Sequence, residues 1–218
     1  MWIPSWVSFW AADQNLYRAI HIGLHREFLD RLMLLLTYTG DGHIQIPVLL
    51  GLVAWPKTRR AGYALAAGYL LSGGLRLLVK DWVSRPRPTN FEWSRPLTWP
   101  GGLPGGADGW LSRTFDVVPF GDSSFPSGHS TTSFAIAFMA AWLVYRTENG
   151  WIGWVACLWA TLVGFSRVYI GVHYPGDVVG GAALAGLCTS AVYLLWVNRG
   201  WLPGSPARHA SPEPDGAQ

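Results

Sequence analysis

The sequence predicts an all-α protein, a polytopic membrane helix bundle with about six transmembrane helices. Only 13% of its 218 residues are charged, whereas a soluble globular domain carries roughly 25%. Half of the residues are apolar, and they gather in long uncharged runs separated by short polar stretches. Glycine, which lets helices approach closely in a bilayer, occurs 26 times. These features exclude a disordered chain, a coiled coil and a disulfide-stapled secreted domain.

Four segments have the composition of a membrane span, for which about 20 apolar residues are needed. They are residues 61–79, 128–145, 151–165 and 178–197. Two further spans are predicted in the first third of the chain. One covers residues 28–38 and could be extended by residues 13–25, and the other covers residues 44–55 and contains Pro47. No strand periodicity is visible, which argues against a β-barrel.

The predicted organisation is one integral-membrane domain, residues 1–200, followed by a disordered tail, residues 201–218, rich in proline and small polar residues. Residues 1–12 are aromatic without preceding basic residues, which favours an interfacial segment over a cleaved signal peptide. Residues 81–125 form a long irregular loop. Its tryptophan-rich part, residues 91–115, is interpreted as a cap at the lipid headgroups, and its role is left open.

Basic residues between the spans predict the orientation in the cell (inner) membrane. They stand in residues 57–60, at Arg146 and at Arg199, which share one side if the spans alternate. The positive-inside rule makes this side cytoplasmic and residues 81–125 extracytoplasmic, although four arginines in that loop weaken the count. The net charge of +3 is too small to indicate a nucleic-acid partner. Cys157 and Cys188 lie in apolar runs and are interpreted as buried small hydrophobes.

Polar residues that a bilayer should exclude stand in three clusters: after the third span, at the start of the fourth, and between the fifth and the sixth. Because successive spans alternate in direction, all three clusters reach the same membrane face. Two imidazoles, a carboxylate and several cations at one face predict an anion site with acid–base groups. The candidate residues are Lys80, Arg87, Ser127, Gly128, His129, Arg167, His173 and Asp177.

Each residue type in these clusters fits phosphate chemistry. The cations can hold anionic oxygens, and backbone N–H groups at the helix start of Ser127 and Gly128 favour phosphate. Asp177 can accept the Nδ1 proton of His173, which leaves Nε2 free to attack. His129 can then protonate the leaving oxygen and later activate water.

Simpler interpretations exist for each residue alone. Lys80 and Arg87 could bind lipid headgroups, and Ser127 and Asp177 could only cap helices. Together, in order and at fixed spacing, the clusters favour the catalytic interpretation. No metal is predicted, because the cations would disfavour a divalent ion beside the histidines and the aspartate.

The clusters resemble the three signature motifs of the type 2 phosphatidic acid phosphatase (PAP2) superfamily, which read Lys-x6-Arg-Pro, Pro-Ser-Gly-His and Ser-Arg-x5-His-x3-Asp. The resemblance covers about residues 30–197. It implies a PAP2-like six-helix membrane enzyme that hydrolyses lipid phosphate esters or diphosphates without metal or other cofactor. It also implies that His173 is a nucleophile forming a phosphohistidine, with Asp177 as its partner and His129 as general acid. The phosphoryl oxygens would be held by Lys80, Arg87, Ser127, Gly128 and Arg167.

Several substrates and functions remain compatible with the resemblance. Undecaprenyl diphosphate is weakly favoured, and phosphatidic acid and phosphatidylglycerol phosphate are the other main candidates. A lipid A phosphatase or phosphotransferase is an alternative within the superfamily. Vanadate-dependent haloperoxidases share the motifs but are soluble and larger, and a non-catalytic lipid-binding scaffold would leave the two histidines unexplained. The roles of Arg76 and Arg85 and the oligomeric state stay open.

Overall fold

The computed structural model describes residues 5–90 and 123–201, and in these residues the chain forms seven α-helices. They are α1 (Ser5–His21), α2 (Glu27–Thr39), α3 (Gly42–Ala54), α4 (Arg59–Val83), α5 (Gly128–Val144), α6 (Trp151–Tyr169) and α7 (Pro175–Asn198). A 3₁₀ turn covers Pro88–Asn90. The part of the chain that the structure describes has no β-strand, only an isolated bridge between Pro86 and Ser123. The predicted all-α class is therefore confirmed.

Three of the described helices are long and apolar enough to cross a membrane: α4, α6 and α7, with 25, 19 and 24 residues. The chain is accordingly a membrane protein. Helix α5 has 17 residues, whereas α2 and α3 have 13 each, about 20 Å at 1.5 Å per residue. A hydrocarbon core is about 30 Å thick, so α2 and α3 are short for full spans. The total of six crossings stays a prediction.

Several predicted bounds need correction. Residues 13–25 do not extend the first predicted span, because α1 ends at His21 and Arg26 adopts an extended conformation before α2 begins. Helix α4 continues to Val83, so residues 81–83 are helical rather than part of the loop. Helix α6 continues to Tyr169, which brings Arg167 into its last turn.

Helix α5 packs between α4, α6 and α7 through small side chains. The alanines at its contact with α6 and α7 are fully buried: Ala135, Ala137, Ala160 and Ala185. Larger apolar side chains fill the space between α3, α4, α5 and α7, namely Leu49, Leu65, Met139 and Val192. Small residues allow the close helix approach that gives membrane bundles their van der Waals contact.

The polar clusters gather at one end of this bundle. The backbone N–H of Ser127, before α5, donates to the backbone oxygen of Asp177 in the first turn of α7, at 3.0 Å. At the opposite end, the start of α4 and the end of α7 line a cavity of about 580 Å³ with Arg60, Tyr63 and Trp196 among its walls. The predictions for the tryptophan-rich loop and for most of the tail lie outside the described residues.

Candidate active site

The first turns of α5 and α7 begin with polar side chains that satisfy exposed backbone groups. Ser127 is the N-cap of α5, and its hydroxyl accepts a hydrogen bond from the N–H of Ser130. Asp177, in the first turn of α7, accepts from the N–H of Tyr174 at 2.8 Å. Two helix N-termini, each with the positive end of its dipole, thus lie side by side.

His173 and Asp177 form a buried pair, with Nδ1 and Oδ2 separated by 3.4 Å. The hydroxyl of Ser124 donates to the same Oδ2 and lies 3.3 Å from Nδ1. Burial lowers the pKa of His173 to about 3, although the Asp177 carboxylate acts in the opposite direction. The imidazole is therefore neutral at pH 7 and keeps a nitrogen lone pair for attack.

Arg85 joins Asp177 to the first helix. Its Nη1 donates to Oδ1 of Asp177 and its Nη2 to Oδ2 of Asp13, each at 2.6 Å. The guanidinium lies between the rings of Trp10 and Tyr174, at 4.1 and 4.0 Å from their centroids. Such stacking between two aromatic faces suits arginine more than lysine.

Asp13 also supports the start of α7 directly. Its Oδ1 accepts from the N–H of Gly176 at 2.7 Å, while its Oδ2 holds Arg85. Both side chains are buried, and sequence reasoning assigned neither of them to the site. The sequence signal for Asp13 was an ionisable residue after an apolar and aromatic run, whereas Arg85 stands in a polar stretch between Lys80 and Arg87.

His129, in the first turn of α5, is more open than His173. Its Nε2 lies 3.6 Å from Oδ2 of Asp41, a carboxylate in the turn between α2 and α3 that the sequence analysis did not select. Burial raises the pKa of the Asp41 carboxyl, but His129 and His43 outweigh this effect and hold the pKa well below its ordinary value. Asp41 is therefore ionised at neutral pH.

Cations surround the two imidazoles. Lys80 is buried, and its charge interacts with those of Arg76, Arg87 and Asp177. Arg167 interacts electrostatically with both histidines, and its Nη1 donates to Oγ1 of Thr37 at 2.8 Å. The structure thus brings the eight sequence-predicted residues together at one end of the bundle.

Arg76 joins this group although it belongs to none of the three motifs. A Cβ added at Gly128 would lie 2.9 Å from Nη1 of Arg76, so the guanidinium rests against the first turn of α5 because that position is glycine. The Nε atoms of Arg76 and Arg167 are buried, and neither has an acceptor among the described residues. Buried donors of this kind need an acceptor, which a bound anion would supply.

The fold and the site define a class: a helical membrane protein whose helix ends gather cations, two imidazoles and carboxylates into an anion site. The sequence model of the PAP2 superfamily matches residues 59–201. The chain belongs to this superfamily. The resemblance inferred from the motifs is confirmed.

Curated relatives support the assignment. The chain is 29% identical over 178 residues to undecaprenyl-diphosphatase BcrC of Bacillus subtilis, which covers 79% of this chain and 78% of the relative. It is 29% identical over 154 residues to an undecaprenyl-diphosphatase of Sulfolobus acidocaldarius, covering 70% and 64%. It is 34% identical over 141 residues to a lipid A 1-phosphatase of Rhizobium etli, covering 61% and 50%. The chain therefore spans less than two thirds of the latter two proteins.

Two solved structures resemble the fold. A transmembrane PAP2-type phosphatidylglycerolphosphate phosphatase of Bacillus subtilis has a TM-score of 0.65 at 25% identity, with 86% of each chain covered. LpxE of Aquifex aeolicus has a TM-score of 0.63 at 26% identity, covering 82% of this chain and 93% of that one.

Proposed function

We propose that the protein hydrolyses a lipid phosphomonoester or diphosphate at the membrane surface, without metal, through a phosphohistidine at His173. The observation that carries this proposal is the anion site at one end of the bundle. There, a neutral buried imidazole with a carboxylate partner lies among cations whose buried Nε atoms lack a described acceptor. The named functions of the relatives support a phosphorylated lipid as substrate.

In the first step, Nε2 of His173 attacks the phosphorus while Nδ1 keeps its proton toward Asp177. The bond from phosphorus to the leaving oxygen breaks, and its electron pair stays on that oxygen. His129 donates a proton to the leaving oxygen, which departs as a lipid alcohol or a lipid monophosphate. The product is a phosphohistidine and a neutral His129.

In the second step, His129 accepts a proton from water as the water oxygen attacks the phosphohistidine. The bond between nitrogen and phosphorus breaks, inorganic phosphate forms, and His173 regains its lone pair. His129 is protonated again and ready for another cycle. One residue therefore serves as acid and then as base, as microscopic reversibility requires.

The remaining site residues hold the phosphoryl oxygens. Lys80, Arg87 and Arg167 supply positive charge, and Ser127 and Gly128 supply donors at the start of α5. Charge on the equatorial oxygens of a transferring phosphoryl group is stabilised mainly by such positioned donors. Three protein cations take the place that metal ions occupy in many phosphoryl-transfer enzymes.

Undecaprenyl diphosphate is the leading substrate, because two relatives aligned over 70% or more of this chain are named undecaprenyl-diphosphatases. A lipid A 1-phosphate is the second candidate, favoured by the Rhizobium relative and by the structural likeness to LpxE. Phosphatidylglycerol phosphate and phosphatidic acid complete the set to be compared. The site is proposed to face the extracytoplasmic side of a multi-pass protein, opposite the basic connections.

The test is phosphate release by purified protein in detergent with EDTA, from short-chain members of each lipid class. We expect the highest kcat/KM for the polyprenyl diphosphate, and competitive inhibition by orthovanadate, which mimics five-coordinate phosphorus. Release that requires added divalent metal would contradict the mechanism. Lipid binding without release from any substrate would favour a scaffold.

The orientation has a separate test. Intact spheroplasts should release phosphate from a short-chain substrate added outside, at a rate that permeabilisation does not increase. A rate that depends on permeabilisation would place the site on the cytoplasmic side.

A further inference from the structure

We infer that Asp41 is a positioning residue for the general acid, and that it holds a proton on His129 through the imidazole nitrogen that does not face the leaving group. This inference rests on the proposed function, in which His129 protonates the leaving oxygen. Asp41 belongs to none of the three motifs and lies in the turn between α2 and α3.

The two oxygens of Asp41 have separate partners. Oδ1 accepts from the backbone N–H of His43 at 2.8 Å and lies 2.6 Å from Nδ1 of the same residue. Oδ2 is left for His129, whose Nε2 is 3.6 Å away. In enzymes without bound substrate, catalytic hydrogen bonds are often long and shorten in the substrate complex.

The turn that carries Asp41 is fixed against the site on both sides. A Cβ at Gly40 would lie 3.3 Å from Cδ2 of His129 and would collide with Val163, so only glycine allows this close approach. Thr37, in the last turn of α2, accepts a hydrogen bond from Arg167. Asp41 itself is the N-cap of α3. These contacts hold the carboxylate in place beside the imidazole.

The chemistry of the acid step needs such a partner. His129 lies beside the cation of Arg167, which disfavours a second positive charge on the imidazole. An ionised carboxylate acts against that repulsion and, in the proposed role, stabilises the imidazolium before it donates its proton and again after water has returned one. The arrangement parallels the pairing of His173 with Asp177, with the carboxylate supplied by a distant part of the chain.

The test uses Asp41→Asn, because asparagine caps a helix about as well as aspartate and has the same shape. The purified variant is compared with wild type on two short-chain substrates, an alkyl lipid phosphate and an activated aryl phosphate. For the alkyl substrate we expect kcat to fall on the order of 10²-fold with KM little changed, at the lower end of general-acid effects. For the aryl substrate the rate of phosphoenzyme formation, measured by rapid quench, should stay nearly unchanged, because its leaving oxygen departs without a proton. Hydrolysis of the phosphohistidine is common to both substrates and should slow equally for both.

Three controls separate this role from a structural one. Asp30→Asn is a matched substitution beside another imidazole, His25, at 3.0 Å, and should leave the ratio of the two rates unchanged. Asp41→Ser keeps a capping oxygen and should reproduce the leaving-group dependence. Asp41→Asn combined with His129→Gln should be no slower than His129→Gln alone, because both changes remove the same proton transfer.

Equal losses in the rate of phosphoenzyme formation on both substrates, or multiplying losses in the double variant, would overturn the inference. It would also be overturned if neither Asp41 variant gave monodisperse protein, because Asp41 would then act in folding. Failure of the proposed function has a different signature: wild-type protein that releases no phosphate from either substrate, or His173→Ala with full activity.

Discussion

The two imidazole–carboxylate pairs of the site differ in how firmly they are held. The side chains of His173 and Asp177 are 3% and 0% exposed, and Arg85, Ser124 and the N–H of Tyr174 all bind the carboxylate. The side chains of His129 and Asp41 are 24% and 12% exposed, and their closest approach is 3.6 Å. One pair is enclosed by protein, and the other is partly exposed.

This difference matches the two proposed tasks. A nucleophile must keep one orientation and one protonation state, which a buried and fully hydrogen-bonded carboxylate provides. An acid that later becomes a base must exchange protons with a leaving group and with water, so its ring needs access. Variants of the two pairs should therefore fail in different ways.

The largest effect is expected for His173→Ala. Without a nucleophile, turnover should fall by about 10⁴-fold or more on every substrate, whatever its leaving group. The loss of turnover is measured from the rates on alkyl and aryl phosphates. Thermal unfolding in detergent checks that the variant is folded. His25→Ala, outside the site, is the control, and near-normal turnover by His173→Ala would remove the nucleophile assignment.

His129→Ala should give a selective loss. On alkyl phosphates the rate of phosphoenzyme formation should fall about 10²- to 10⁴-fold, the range of general acid–base catalysis. On activated aryl phosphates the same rate should fall by much less. Rapid-quench measurement of that first step separates it from hydrolysis. An equal loss on both substrates would contradict the role of His129 as the general acid.

Arg85 and Asp13 allow the enclosed pair to be examined further. Arg85→Gln leaves two carboxylates buried without their cation, and breaking such a pair costs about 3–5 kcal/mol, so both activity and the unfolding temperature should fall. Asp13→Asn leaves the bond between Arg85 and Asp177 in place, so it should lower the unfolding temperature with a much smaller loss of kcat. If the two variants lose kcat equally, the link to Asp177 has no catalytic consequence.

The smallest effect concerns pH. The ordinary pKa of histidine is 6.5, and burial lowers the pKa of His173 to about 3 in the folded protein. Below pH 6.5 the unfolded chain therefore binds a proton that the folded protein does not, and stability falls by up to about 1.4 kcal/mol per pH unit. The wild-type unfolding temperature should drop more steeply between pH 6.5 and pH 5 than that of His173→Asn. Parallel curves would contradict the burial of a neutral imidazole.

The sequence was sufficient for the motif residues because their spacing and the alternation of apolar runs determine which helix ends meet. It was not sufficient for Asp13, Asp41 and Ser124. Their roles depend on contacts between elements far apart in the chain, such as the bond between Arg85 and Asp177, 92 positions apart. The predicted end of α4 was wrong for a related reason. The run of apolar residues ends before Lys80, where the polar cluster begins, but backbone hydrogen bonds continue the helix to Val83.

The region that defines the superfamily begins at residue 59, yet three side chains that support the site come before it. Asp13 binds Arg85, Thr37 binds Arg167, and Asp41 approaches His129. The front of the chain thus acts as a scaffold for the proposed reaction centre, whose signature residues lie elsewhere. Selection could alter this front segment to tune rate or substrate preference while every motif position stays the same.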